Sequence, residues 1–241
     1  MLRVVLLIFA ISFLSCSNIT SETGEDIVRR SVETHGGIRN FQELEAVTLT
    51  KKTRLYKEDG SIESETLQEQ SFKLIPDYFF KSKWMEGDDQ HQITYDRNTV
   101  VKRVNNVNVE GEKTIESALK LALSAEYVFF QPIKLLQDNG KLSYEGKHMV
   151  GDSIETSVVA VTYEDQTSSS DSWRYYFDAN YRLIAASVKH NNRISFIENL
   201  DFQTYKGILF NKARKSYFVD SLFQKKQLRA EYDYDIIATR Q

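Results

Sequence analysis

The stretch LRAEYDYDI, residues 228–236, alternates without a slip. Leu228, Ala230, Tyr232, Tyr234 and Ile236 fall on one side of an extended chain, and Arg229, Glu231, Asp233 and Asp235 on the other. Successive side chains of a strand point to opposite faces, so this segment predicts a strand with one apolar face and one wet face. A face of that kind has to be buried against a second layer, and the rest of the chain is read for more strands and for that layer.

Working outward, the same period of two predicts strands at about 141–150, 157–164, 172–178, 183–190, 194–205, 213–221 and 226–237 in the second half. In the first half it predicts strands at about 46–56, 62–74, 78–86, 91–95 and 99–104. Turn-forming clusters separate the first set: KEDGS (57–61), IPD (75–77), EGDD (86–89) and YDRN (95–98). In FFKSKWM, Phe80 and Trp84 share a face with Ser82, while Lys81 and Lys83 point away. Two segments keep helical spacing instead. GEDIVRRSVETHGG groups Ile27, Val28, Ser31 and Val32 and ends in a glycine pair suited to a helix stop. His35, beside that stop, reads as an imidazolium favoured by the helix dipole. TIESALKLALSAEYV (114–128) repeats Ile115, Ala118, Leu119, Ala122 and Ala125, with Leu121 and Leu123 widening the stripe.

The order is therefore helix, five strands, helix, seven strands. About a dozen twisted antiparallel strands curl, so the expected fold is mainly β (α+β). It is a large curved antiparallel sheet forming an unclosed β-barrel, covered by an N-terminal helix and a central helix. Two prolines against 13 Tyr and 14 Phe suit long aromatic strands.

The N-terminus carries a different signal. After Arg3, residues Val4 to Leu14 are apolar except for Ser12. That run is well short of the ~20 residues a membrane-spanning helix needs, and its positive start and short apolar core fit a secretory signal. Phe13-Leu14-Ser15-Cys16 then resembles the lipobox of bacterial lipoproteins, with Phe13 in place of the more usual Leu. The resemblance implies a diacylglyceryl thioether on Cys16, which suits the single cysteine of the chain. The expected division is 1–15 signal peptide, 16–24 lipidated Cys16 and tether, and 25–241 one domain. With one cysteine, that domain must fold without an internal disulfide.

Charge excludes one large class of partner. The chain has 31 Lys and Arg against 34 Asp and Glu, a net −3, with both signs scattered. No basic block is present to neutralise phosphates, so nucleic acid is not an expected partner. His35, His91, His148 and His190 are far apart and lie outside any HExxH pattern. Asp88-Asp89-Gln90-His91 groups three metal-ligating side-chain types, but solvated turn residues explain it better. There is no GxSxG, SxxK, GxGxxG or P-loop, and Asp233 with Asp235 reads as a wet strand face. No cofactor, metal or catalytic residue is expected.

The stretches ETHGGIRNFQELEAVTL (33–49), VFFQPIKLLQDNGKLSYEGKHMVGDS (128–153), DSWRYYFDANYRLIAASV (171–188) and FQTYKGILFNKARKSY (202–217) resemble the LolA/LolB-like superfamily of periplasmic lipoprotein-handling proteins. Within it they look like an uncharacterised Bacteroidetes-type lipoprotein subgroup. The resemblance implies an unclosed barrel with an apolar concave face that holds acyl chains under helical lids. It also implies a lipid-anchored protein of the bacterial envelope, expected at the outer membrane and facing the periplasm. Candidates for the wall of a ligand cavity are Phe80, Trp84, Leu119, Leu123, Phe129, Trp173 and Phe177, with Phe130, Phe196 and Phe202 in reserve. Two readings of these side chains stand at this point. They line a cavity for a lipid or acylated ligand, or they fill a core and leave an envelope scaffold or stress-sensing module that works through its edges and loops.

Overall fold

The computed structural model describes residues 22–151, 154–164 and 171–237. The signal segment and Cys16 therefore lie outside the described residues, as does most of the tether.

The chain opens with α1 (Gly24–Thr34) and α2 (Gly37–Glu43). Six strands follow: β1 (Ala46–Tyr56), β2 (Ile62–Lys73), β3 (Phe79–Glu86), β4 (Asp89–Tyr95), β5 (Val100–Val104) and β6 (Val107–Asn108). Then come α3 (Glu112–Phe129) and α4 (Ile133–Gln137). The last seven strands are β7 (Lys141–Val150), β8 (Ile154–Thr162), β9 (Ser172–Phe177), β10 (Leu183–His190), β11 (Arg193–Tyr205), β12 (Ile208–Val219) and β13 (Lys225–Ile237). All thirteen strands form one sheet in the order β6-β5-β4-β3-β2-β1-β13-β12-β11-β10-β9-β8-β7, and the pairing is antiparallel throughout. Two meanders thus meet where the first strand pairs with the last, Leu49 opposite Ile236 and Leu55 opposite Ala230. The edges, β6 and β7, do not pair with each other, so the barrel is unclosed. The chain crosses from one edge to the other through α3 and α4.

Local chemistry accounts for the helix ends. Thr23 caps α1 by accepting from the Asp26 backbone N–H at 3.1 Å, and the Asp26 carboxylate accepts from the Thr23 N–H at 3.0 Å, a reciprocal pair that satisfies two free donors. At Gly24 an added Cβ would stand 2.8 Å from the Leu142 backbone, so only glycine lets α1 lie this close to β7. Gly36 ends α1 at φ 114°, where a Cβ would meet the Gly207 carbonyl oxygen at 2.3 Å. His35 is 2% exposed rather than displayed at the helix end. Its Nδ1 donates to the Ser31 carbonyl at 2.8 Å, and its ring meets Phe202 edge-on at 6.2 Å. Burial lowers its pKa, so the helix-end imidazolium expected from sequence is replaced by a neutral ring.

Several other expectations needed adjustment. The segment from Gly37 is a short helix, α2, that the periodicity did not predict. β6 is an additional strand, and β12 begins at Ile208, before the expected 213.

Two apolar cores sit on the concave face. One joins α3 to β1–β4, β12 and β13 around Phe72, Phe80, Phe129, Phe130, Phe210 and Tyr234. Phe129 stacks on Phe210 with centroids 4.7 Å apart, and Phe72 meets Phe80 at 5.0 Å. The other joins α1 and Leu135 of α4 to β8–β10 through Ile27, Val28, Val159, Tyr175, Phe177 and Leu183. A third cluster, including Tyr176 and Phe196, lies on alternate residues of β8–β12.

Candidate functional site

The two concave-face cores are separate clusters bridged by Leu136, which packs against both. Between them, under the second half of α3 and under α4, lies a cavity of about 830 Å³. Strand register explains why space is left there. Across the sheet Ala186 lies opposite Ile197, Ile197 opposite Ser216, and Ser216 opposite Ala230. A neighbouring row places Val188 opposite Ser195, and Tyr232 lies opposite Thr53. Small side chains therefore coincide on adjoining strands, at the halves of β1 and β12 remote from Leu49 and Phe210.

The helical wall supplies Leu121, Leu123, Ala125, Tyr127 and Val128, and the sheet supplies Trp173, Tyr175, Val188 and Ile197 as apolar surface. Of the side chains expected at such a wall, Leu123 and Trp173 stand on it. Leu123 is 43% exposed, because it faces the cavity and not the packed layer. Phe80, Phe129 and Phe177 are enclosed in the cores, where Trp84 and Leu119 pack against the first of them. Phe130 joins the first core, Phe196 the third cluster, and Phe202 packs on His35.

The wall also holds charge that the sequence reading did not select. Lys51, Arg97, Lys134 and Arg214 face Glu126 and Asp138 around the cavity. Glu126, 4% exposed, accepts from the Arg97 guanidinium through both oxygens at 2.6 and 2.7 Å and also pairs with Lys134. Burial alone would raise its pKa, but these cations outweigh that effect and hold the carboxyl below its ordinary value. Arg97 lies in the β4–β5 turn with its guanidinium 3.5 Å from the Tyr78 ring centroid, so the group fastens α3 to the sheet. Its signal was present in the sequence, since Glu126 follows Ala118 and Ala122 at helical spacing on the apolar stripe.

The cavity phenols are hydrogen-bond partners, not bases. Tyr127 and Tyr175 share a 3.2 Å hydroxyl contact, and Tyr163 donates to Asp138 at 2.5 Å. Burial raises all three pKa values, which keeps them protonated. Elsewhere, His91 stacks on Trp84 at 5.1 Å and Asp89 accepts from Asn105 at 2.7 Å. Among the described residues no group of three His, Cys, Asp or Glu is placed to hold a metal ion. Nor is any described helix long and apolar enough to cross a membrane.

With the open barrel and its cavity in view, the comparison with known proteins is informative at the level of fold. A LolA superfamily protein from Nitrosomonas europaea superposes with a TM-score of 0.55 at 10% identity, over 92% of this chain and 96% of its own. The two proteins share a fold. A putative outer membrane lipoprotein-sorting protein domain from Vibrio parahaemolyticus gives 0.54 at 10% identity, over 90% and 95%. No family model matches the sequence, and no curated protein does. The shared architecture thus persists where side-chain identity has nearly vanished.

Proposed function

We propose that this protein is a lipid-anchored envelope lipoprotein that binds an acyl chain, lipid or other amphiphile non-covalently in the cavity beneath α3 and α4. The observation that carries the reading is the cavity itself, about 830 Å³ with aliphatic and aromatic walls. That volume lies within the ~300–1,000 Å³ typical of small-ligand sites, and burial of apolar surface at about 25 cal/mol per Å² supplies the driving force. The fold shared with a lipoprotein-sorting protein domain supports the same reading. The site is a binding site and not a catalytic one. Its two carboxylates, Glu126 and Asp138, are engaged by Arg97, Lys134 and Tyr163, and Tyr127, Tyr163 and Tyr175 are held neutral by burial. The void weakens the alternative of a scaffold with a filled interior.

Anchoring is attributed to a lipid on Cys16, with residues 1–15 as the removed signal, 16–24 as lipidated cysteine and tether, and 25–241 as one domain at the outer membrane facing the periplasm. The test of ligand binding is native mass spectrometry, with organic extraction, of the full-length Cys16→Ser protein purified without detergent. A stoichiometric extractable amphiphile is expected. A bare protein mass that stays unchanged after incubation with phospholipid and acylated peptide would return the scaffold reading.

A further inference from the structure

The cavity wall contains a cation that no described carboxylate neutralises. Arg214 is 6% exposed, and its Nε is buried without a hydrogen-bond partner. No carboxylate of the described residues forms an ion pair with it; the carboxylates that the described residues place on the cavity wall, Glu126 and Asp138, are engaged by other residues. Buried charges are normally paired, because desolvation of a lone ion costs several kcal/mol. A lysine in this position would shed its proton, but a guanidinium stays charged at any physiological pH. The charge of Arg214 therefore calls for an anion that the described residues do not supply.

The surroundings suit such an anion. Arg214 lies opposite Tyr232 on β13, and Tyr232 lies opposite Thr53 on β1. Two residue pairs along, on the same face, Lys51 lies opposite Tyr234. The Lys51 ammonium stands 5.7 and 5.9 Å from the ring centroids of Tyr232 and Tyr234 and forms no ion pair with a described carboxylate. Two unneutralised cations thus flank a pair of tyrosines on the sheet side of the cavity. Across from them, Leu121, Leu123 and Val128 present apolar surface from α3. Four cations face two carboxylates around this cavity, in a chain whose net charge is −3. The positive surplus is local to the site.

We propose that Arg214, assisted by Lys51, is the head-group site of the cavity, and that its ligand is an amphiphile with an anionic oxygen head, a carboxylate or a phosphate monoester or diester. The guanidinium fork presents donors in a plane that matches two oxygens of either group. The alkyl chain then lies along Leu121, Leu123, Val128, Trp173 and Ile197. This inference rests on the amphiphile-binding reading of the same cavity and narrows it to one charge class.

The test compares four ligands that share a chain and differ in head: laurate, dodecyl phosphate, lauryl alcohol and dodecyltrimethylammonium. Each is titrated into the full-length Cys16→Ser protein below its micelle concentration. At least one anion is expected to bind roughly ten- to a hundredfold more tightly than the alcohol, the size of a charge-assisted hydrogen bond in a dry site. The stronger of the two anions identifies the head. Arg214→Gln is expected to bring anion and alcohol to within about twofold while leaving the alcohol's affinity intact. Lys51→Gln, at a half-buried position, is expected to remove part of the preference and stands in if Arg214→Gln does not fold. Equal binding of all four heads overturns the head-group site while leaving the amphiphile reading in place. So does an anion preference that survives both substitutions. Failure of all four to bind overturns the amphiphile reading itself.

Discussion

Single residues carry three of the claims made here. Cys16 is the proposed anchor. The wild-type protein is expected in the membrane fraction, labelled by an alkyne fatty acid, and Cys16→Ser is expected to lose both label and membrane association. Retention of either would remove the anchor. His35 sets a pH dependence. Burial lowers its pKa in the folded protein, so as pH falls below ~6.5 the unfolded chain takes up the proton first. Its contribution to stability is full above that pH and is lost as pH falls toward the folded-state pKa. Thermal stability should therefore drop between about pH 7 and pH 5, and the drop should be smaller in His35→Gln; an identical drop would mean that His35 is not the source. At Arg214 the sequence offered no handle. In KARKSY, Lys212, Arg214 and Lys215 look alike, yet Lys212 pairs with Asp201 at 3.4 Å and Lys215 with Glu231 at 2.8 Å. Only the register opposite Asn199 and Tyr232 sends Arg214 to the cavity wall.

Among the elements, α3 defines the cavity, and Glu126 holds it in place. Glu126→Gln keeps the shape but removes the charge facing Arg97 and Lys134. Those side chains are 43% and 23% exposed, so water replaces part of what is lost. The expected destabilisation is about 1–3 kcal/mol, below the 3–5 kcal/mol seen when a fully enclosed pair is broken. Denaturant midpoints measure it, and an unchanged midpoint would show that packing alone seats the helix. The elements themselves were largely visible in sequence because one period dominates each. β1, β7 and β10 match the alternation residue for residue. The two-residue β6 was hidden by the turn-like character of VNNVN. The seven-residue α2 was hidden because its start depends on the left-handed Gly36 and not on a side-chain cap. Which strand pairs with which lay beyond alternation, and the pairing of β1 with β13 depends on the whole chain returning.

For the molecule as a whole, the gap between β6 and β7 makes the barrel a structure with two weak ends and a firm middle. Amide exchange is expected to be fastest at β6 and along β7, and slowest in β1, β12 and β13, which pair on both sides. Uniform protection would instead indicate a closed ring. The apolar inventory was legible as an amount but not as a shape. The same Phe, Trp and Leu residues can fill a core or line a void. The outcome depends on where small side chains such as Ser195 and Ser216, which line the cavity, fall on adjoining strands, which no single segment reveals. The central claim, a ligand inside this void, is tested most directly by filling it. Val188→Trp, on the wall beside Ser195, adds a large ring to existing space. Titrating a fluorescent acyl-chain probe into the full-length Cys16→Ser protein, with and without Val188→Trp, gives the comparison. The account predicts at least a roughly tenfold weaker affinity in the filled variant, with thermal stability unchanged or raised. Unchanged affinity in a folded Val188→Trp protein would place the ligand elsewhere and contradict the account.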